Sequence, residues 1–293
     1  MQTFLFLFLS LFILAVSLQP SSSQSEVAEG GVEIIEPETE TETETETETE
    51  TAWFLVTTVS PSYSKDLVAE FAALTGSLVF PDHLMNEDAE KTEGDFDVGL
   101  YFTVLDRLSM GGGRVLDYVY DYEGIGGAPV LYARKAVEPP YRNRSEYLSA
   151  DASAKPEERE DYYLRYIETD GTPEGFFQLA LLRIQGEQFY QFWHAAYNDH
   201  RIVSDPEDAR ARLGGGWLGE DEPTVEGLLA DLEKFDLAPA VSMSGDLAKV
   251  EVVVFTDWGG FVKRSMVMER QFPHLIVEER WEVLVPYNCG IMF

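Results

Sequence analysis

The chain has little with which to cross-link itself, coordinate metal or hold nucleic acid. Of its 293 residues one is cysteine, four are histidine and 21 are lysine or arginine, against 53 aspartates and glutamates. The single cysteine, Cys289, closes no intrachain disulfide and excludes cysteine-based zinc modules. A formal charge of −32 repels phosphate backbones and anionic lipid, and no dense Lys/Arg cluster offsets it. Nucleic acid and a membrane surface are therefore not expected partners. No phosphate loop, dinucleotide fingerprint, zincin helix, calcium loop or serine-nucleophile elbow occurs. The glycines at 111–113, at 124, 126 and 127, and at 214–216 lack the Lys-Ser/Thr ending of a phosphate loop.

Long apolar runs are scarce too, with one exception. Phe4–Leu18 is broken only by Ser10 and Ser17, and as a helix it spans ~22 Å against a hydrocarbon core of ~30 Å. Pro20 and the serines 21–23 follow it. This pattern predicts a secretory signal peptide over residues 1–23 and an extracellular location. No Lys or Arg precedes the run, so an uncleaved membrane anchor is the alternative. Glu38–Thr51 is seven consecutive Glu-Thr pairs. With nothing to bury and like charges at alternate positions, residues 24–51 are expected to be a disordered acidic spacer. O-glycosylation or weak Ca²⁺ binding is the functional alternative for its threonines.

What remains, residues 52–293, holds 42 acidic and all 21 basic residues, because residues 26–51 carry 11 of the 53 acids. The chain is 45% hydrophobic and 13% aromatic, enough for a sizeable core. The expected fold is a single α+β domain dominated by an antiparallel sheet, with about three short helices. Strands are predicted at Trp53–Val59, Val98–Leu105, Leu116–Tyr122, Pro129–Arg134, Tyr162–Thr169, Val250–Phe255, Phe261–Glu269 and Leu275–Val285. Asp257–Gly260 is a hairpin signal, and Met110–Gly113 a turn. Helices are expected after Ser64, after the Asp205-Pro206 cap, and through Val225–Phe235. The polar stretches Asp82–Asp97 and Pro139–Asp161 are expected loops, the second carrying the N-glycosylation sequon at Asn143. The aromatic-dense Thr172–Val203 predicts a central hairpin, with Phe176–Ile184 and Phe189–Asn198 as strands flanking Gln185–Gln188.

Candidate chemistry concentrates at the end of that stretch. If Phe189–His200 is extended, His194, Asn198 and His200 share a face. His194 and His200 are candidate metal ligands, and His194 with Asp199 a candidate catalytic pair. In a straight strand residues 194 and 200 stand ~20 Å apart, so a shared ion needs the turn that Asn198-Asp199 favours. Tyr190, Trp193, Tyr197 and Asn198 form a candidate ligand-binding group, the aromatics as a sugar-stacking platform, with core packing as the plainer role. Cys289 paired with His194 or His274 is a further candidate nucleophile. Asp95/Asp97 and Asp117/Asp121/Glu123 are candidate carboxylate pairs, in a chain so acidic that such pairs arise by chance. Together these features predict a secreted, non-enzymatic module that binds an extracellular ligand or protein. The alternative is a secreted hydrolase, with or without a metal ion, using His194 with Asn198, Asp199 and His200.

Overall fold

A computed structural model describes residues 55–193, 199–213, 224–257 and 259–287. The leader, the acidic spacer, His194, Tyr197, Asn198 and Cys289 lie outside the described residues. Those described form an α+β arrangement with antiparallel sheets. The central sheet is built largely from the C-terminal third. β9 (Leu247–Thr256) and β10 (Gly260–Glu269) pair as a hairpin through the predicted turn, with Gly260 at a φ of 81°. Around them the order is β1 (Leu55–Thr58), β8 (Ala240–Met243), β9, β10 and β11 (Ile276–Val285). β7 (Arg201–Val203) joins β9 beyond the end of β8.

One face of this sheet carries Val250, Val252, Val254, Met266 and Met268, all buried in the main core. Packed against it is α3 (Pro173–Gln185), where the hairpin's first strand was expected. Phe176, Phe177, Leu179, Leu181 and Leu182 are each at most 1% exposed, so this helix is buried nearly all round and shows no polar face at a 3.6-residue period. Its apolar density mimics a core strand. The start signal was nonetheless present: the Thr172 side chain accepts from Gly175 N and Pro173 occupies the first turn. The hairpin expectation is corrected accordingly, and of its second strand the described residues retain only β6 (Phe192–Trp193).

The opposite face of the sheet is covered by α4 (Pro206–Leu213) and α5 (Val225–Leu232), both expected. Asp205 Oδ1 accepts from Asp208 N at 2.7 Å, the cap that its position before Pro206 implies. α1 (Pro61–Thr75) begins four residues earlier than expected, after Ser60, and Ser64 is a buried residue bonded to Ser204 Oγ rather than a cap.

A second sheet stands across the core. β3 (Arg114–Tyr122) and β4 (Gly126–Lys135) form a long antiparallel hairpin, to which β6 adds a short edge. Tyr118 and Tyr120 enter the main core, while Val119 on the other face packs with Tyr132 and Tyr147. Tyr147 belongs to α2 (Arg144–Ala150), inside the stretch expected to be loop. Its cap is Asn143, whose Oδ1 accepts from Glu146 N. β2 (Leu108–Met110) pairs with β5 (Ile167–Thr169) and enters β3 through glycines 112 and 113, both at positive φ. The expected strand at Val98–Leu105 is instead a 3-10 turn over Val98–Thr103, begun where Asp97 caps Gly99 N. Tyr163–Tyr166 is likewise a 3-10 turn, leaving only β5 of the strand expected from Tyr162. The five described α-helices exceed the expected three because α2 and α3 escaped the pattern.

Candidate functional site

A cleft of about 720 Å³ lies between the 91–102 stretch, β2 and the open end of the β3–β4 hairpin. Its volume falls in the range of small-molecule sites. Phe96, Phe102, Leu108, Met110, Val115 and Leu116 supply an apolar floor.

Charge gathers on one wall. Asp117 is 5% exposed and lies between two cations. Its Oδ2 accepts from Arg134 Nε at 2.7 Å, and its Oδ1 accepts from Lys91 Nζ and from Tyr118 N. The hairpin register explains the first contact. Val115 stands opposite Arg134, which makes Asp117 the diagonal neighbour on the same face. Lys91 comes from the facing loop and also sits 4.6 Å from the centre of the Tyr118 ring. The Tyr118 hydroxyl is buried with no hydrogen-bond partner among the described residues, and burial pushes its pKa upward. Arg114 stacks 4.0 Å above the Tyr166 ring, donates to Ala133 O at 2.8 Å and reaches the exposed Glu160 at 3.0 Å.

The acids of the loop are turned to local work. Asp95 Oδ2 accepts from Thr92 N and Thr92 Oγ1 and lies 2.9 Å from His83 Nε2. Asp97 is the cap described above. A smaller polar pocket of about 270 Å³ adjoins through two shared residues, Arg114 and Arg134.

Of the aromatic, histidine and Asp199 candidates, the described ones, Tyr190, Trp193, Asp199 and His200, do not line this cleft, whereas the carboxylate candidates Asp95, Asp97 and Asp117 do. Tyr190 is 8% exposed, its hydroxyl accepts from Phe96 N at 3.2 Å, and its carbonyl accepts from Tyr120 Oη at 2.7 Å. Those two bonds hold Tyr190 at a φ of 48°, a left-handed conformation that costs about 1–2 kcal/mol for a side chain of this kind. Tyr190 therefore braces the cleft from behind through Phe96. Trp193, at a φ of 45°, is 56% exposed and pairs with Gly126 in the β4–β6 ladder. The two aromatics are not brought together as a platform.

Asp199 and His200 sit at a different corner, beside β9, β10 and β11. Asp199 is buried and paired with Arg201 Nη2 at 3.0 Å. Burial, reinforced by Asp257, raises its pKa to about 6. The His200 ring packs 5.2 Å from that of Trp281. Burial, with Arg264 adding to it, lowers the His200 pKa to about 4, so the ring is neutral at neutral pH. Arg264 is itself buried, over Trp281 at 4.1 Å and ion-paired to Glu279. Among the described residues no three His, Cys, Asp or Glu side chains converge as metal ligands.

His274 contacts Thr169 and the Phe176 ring. Asn143, the glycosylation candidate, is half-buried at its cap, and Ser145 of the same sequon donates to Asp88 Oδ1. Comparison with protein-family models, curated proteins and solved structures found no match.

The sequence offers Asp95, Asp97 and Asp117 as members of candidate carboxylate pairs and gives no local reason to single out Lys91, Arg114 and Arg134. One signal was available for the last two. In a strongly acidic chain, two arginines at the two ends of a predicted hairpin come to the same end of it once the strands pair, Arg114 opposite Lys135 and Arg134 opposite Val115, on its two faces.

Proposed function

We propose that this chain is a secreted, non-enzymatic binding module whose ligand occupies the cleft above Phe96, Leu108 and Leu116. The observation that carries the reading is the pairing of an apolar floor with a fixed charged wall in one concavity of ligand size. The leader Phe4–Leu18 and the Glu-Thr tract fit this role as export signal and spacer. The extracellular partner is a small molecule rather than a nucleic acid or a membrane. A neutral, environment-sensitive dye such as Nile red tests it. Its fluorescence should rise on binding the full chain, and Ser109→Trp, placed on β2 at the cleft, should weaken binding tenfold or more. Equal binding by the variant removes the cleft as the site.

One observation favours the hydrolase reading at His194. A carboxyl titrating near 6, as Asp199 does, suits general acid–base work near neutrality. Turnover of nitrophenyl esters or glycosides that is lost in both His194→Ala and Asp199→Asn would support it. Turnover indifferent to both variants would remove it.

A further inference from the structure

Arg114 and Arg134 belong to two neighbouring cavities at once, the apolar cleft and the smaller polar pocket. We propose that this shared wall binds the headgroup of a free amphipathic carboxylate, whose apolar body lies in the cleft. The proposal rests on the binding reading above and names the ligand class for that site.

Counting charges does not decide the sign of the ligand. The cleft is lined by Lys91, Arg114 and Arg134 and by Glu93, Asp95, Asp97 and Asp117. What decides it is which groups are already engaged. Asp117 accepts from Arg134, Lys91 and Tyr118 N; Asp95 accepts twice from Thr92; Asp97 accepts from Gly99 N. Of these four acids only the exposed Glu93 has no such bond among the described residues.

The cations keep donors to spare. An ammonium has three protons and a guanidinium five. Lys91 has one hydrogen-bond acceptor, Asp117. Arg134 uses Nε on Asp117 and Nη1 on backbone oxygens, chiefly Glu138 O at 2.9 Å, which leaves Nη2 without an acceptor among the described residues. Arg114 spends Nη1 on Ala133 O and Nη2 on Glu160, whose side chain is 85% exposed. A bond to so exposed a carboxylate is weak and readily exchanged.

Both guanidiniums are also held in place before any ligand arrives, Arg114 by the Tyr166 ring and Arg134 by Asp117. Anchored forks lose little side-chain freedom on binding and match a carboxylate's two oxygens. In a chain with a net charge of −32, the result is a local surplus of donors beside an apolar trough.

Calorimetric titration of the full chain with decanoate, decanol and decylamine at low ionic strength tests the proposal. Decanoate should bind tenfold or more tighter than decanol, with decylamine weakest, since a charge-assisted bond is worth about that factor. Arg114→Gln should bring decanoate down toward decanol while leaving decanol's affinity in place. If that variant fails to fold by circular dichroism, Lys91→Gln, whose side chain is partly exposed, takes its place. Equal affinities, or a preference for decylamine, overturn the anionic ligand and leave the binding reading standing. Failure of all three to bind overturns both. Sedimentation with neutral vesicles doped with the same fatty acid separates the sources: a protein carried down with the vesicles contradicts capture of a free carboxylate.

Discussion

Two charged regions of this molecule look alike in composition and differ in what surrounds them. At Lys91–Asp117–Arg134 a buried carboxylate holds two cations whose remaining donors face a cleft. At Asp199–His200 a buried carboxyl and an imidazole are pressed against Arg201 and Trp281, and neither lines the cleft. The second was where residue types pointed, because it holds histidine beside aspartate. The first is where the shape is. Burial perturbs a titration; burial beside an opening also arranges donors for a ligand. Chemistry-bearing residue types mark a site only when the fold leaves room next to them.

The contrast predicts opposite responses to removing the two carboxylates. Asp117→Ala leaves Lys91 and Arg134 side by side without their shared acceptor and should destabilise the fold by about 3 kcal/mol, measured by urea unfolding at pH 7. Asp199→Asn should stabilise at the same pH, by about 1–2 kcal/mol after allowance for solvent screening of a partly exposed pair. If both variants lose stability equally, the distinction between the two regions fails.

The pH dependence sharpens the comparison further. The folded-state pKa of Asp199 is raised to about 6 above an unfolded value near 3.9. The folded state therefore holds the extra proton, and the stability this contributes is full below about pH 4 and lost as pH rises through 6. The His200 value is lowered to about 4 from about 6.5 unfolded. Its contribution is full above pH 6.5 and lost as pH falls through 4. The two windows overlap with opposite slopes and largely cancel in the native chain. Asp199→Asn should unmask a stability that rises between pH 4 and 6.5, and His200→Gln one that falls across a similar window. Unfolding curves at four pH values decide it, and unchanged slopes in both variants would show that the two groups are not buried as described.

Smaller effects mark the link between the regions and its limit. Tyr190→Phe removes the acceptor of Phe96 N and should cost about 1 kcal/mol while loosening dye binding in the cleft severalfold. His200→Gln should leave cleft binding within twofold of the native chain, because His200 touches none of its lining.

Much of the architecture was legible in the chain for local reasons. Asp257–Gly260 announced the β9–β10 hairpin, Asp205-Pro206 announced α4, and alternation announced β3. α3 was not, since a helix buried on every side loses the polar face that distinguishes it from a core strand. α2 hid in a charged stretch whose one clue was Asn143 followed by Glu146. β11 shows the reverse case. Its alternation was real, but Val277, Trp281 and Val283 are each more than half exposed at the sheet edge, because α3 lies over β7, β8 and β9. The cleft could not be read at all from local pattern. Lys91, Asp117 and Arg134 come from separate segments, and only strand register and the packing of the 91–102 stretch unite them.

Methionine places reporters on both sides of the comparison. Met110 lines the cleft, whereas Met266 and Met268 lie on β10 beyond Arg264, buried in the main core. With the methionine methyls carbon-13 labelled and Met110→Leu used for assignment, titration with decanoate should shift the Met110 resonance and leave those of Met266 and Met268 in place. Movement of Met266 or Met268 with Met110 unchanged would put the ligand at the other region and contradict the cleft as the binding site.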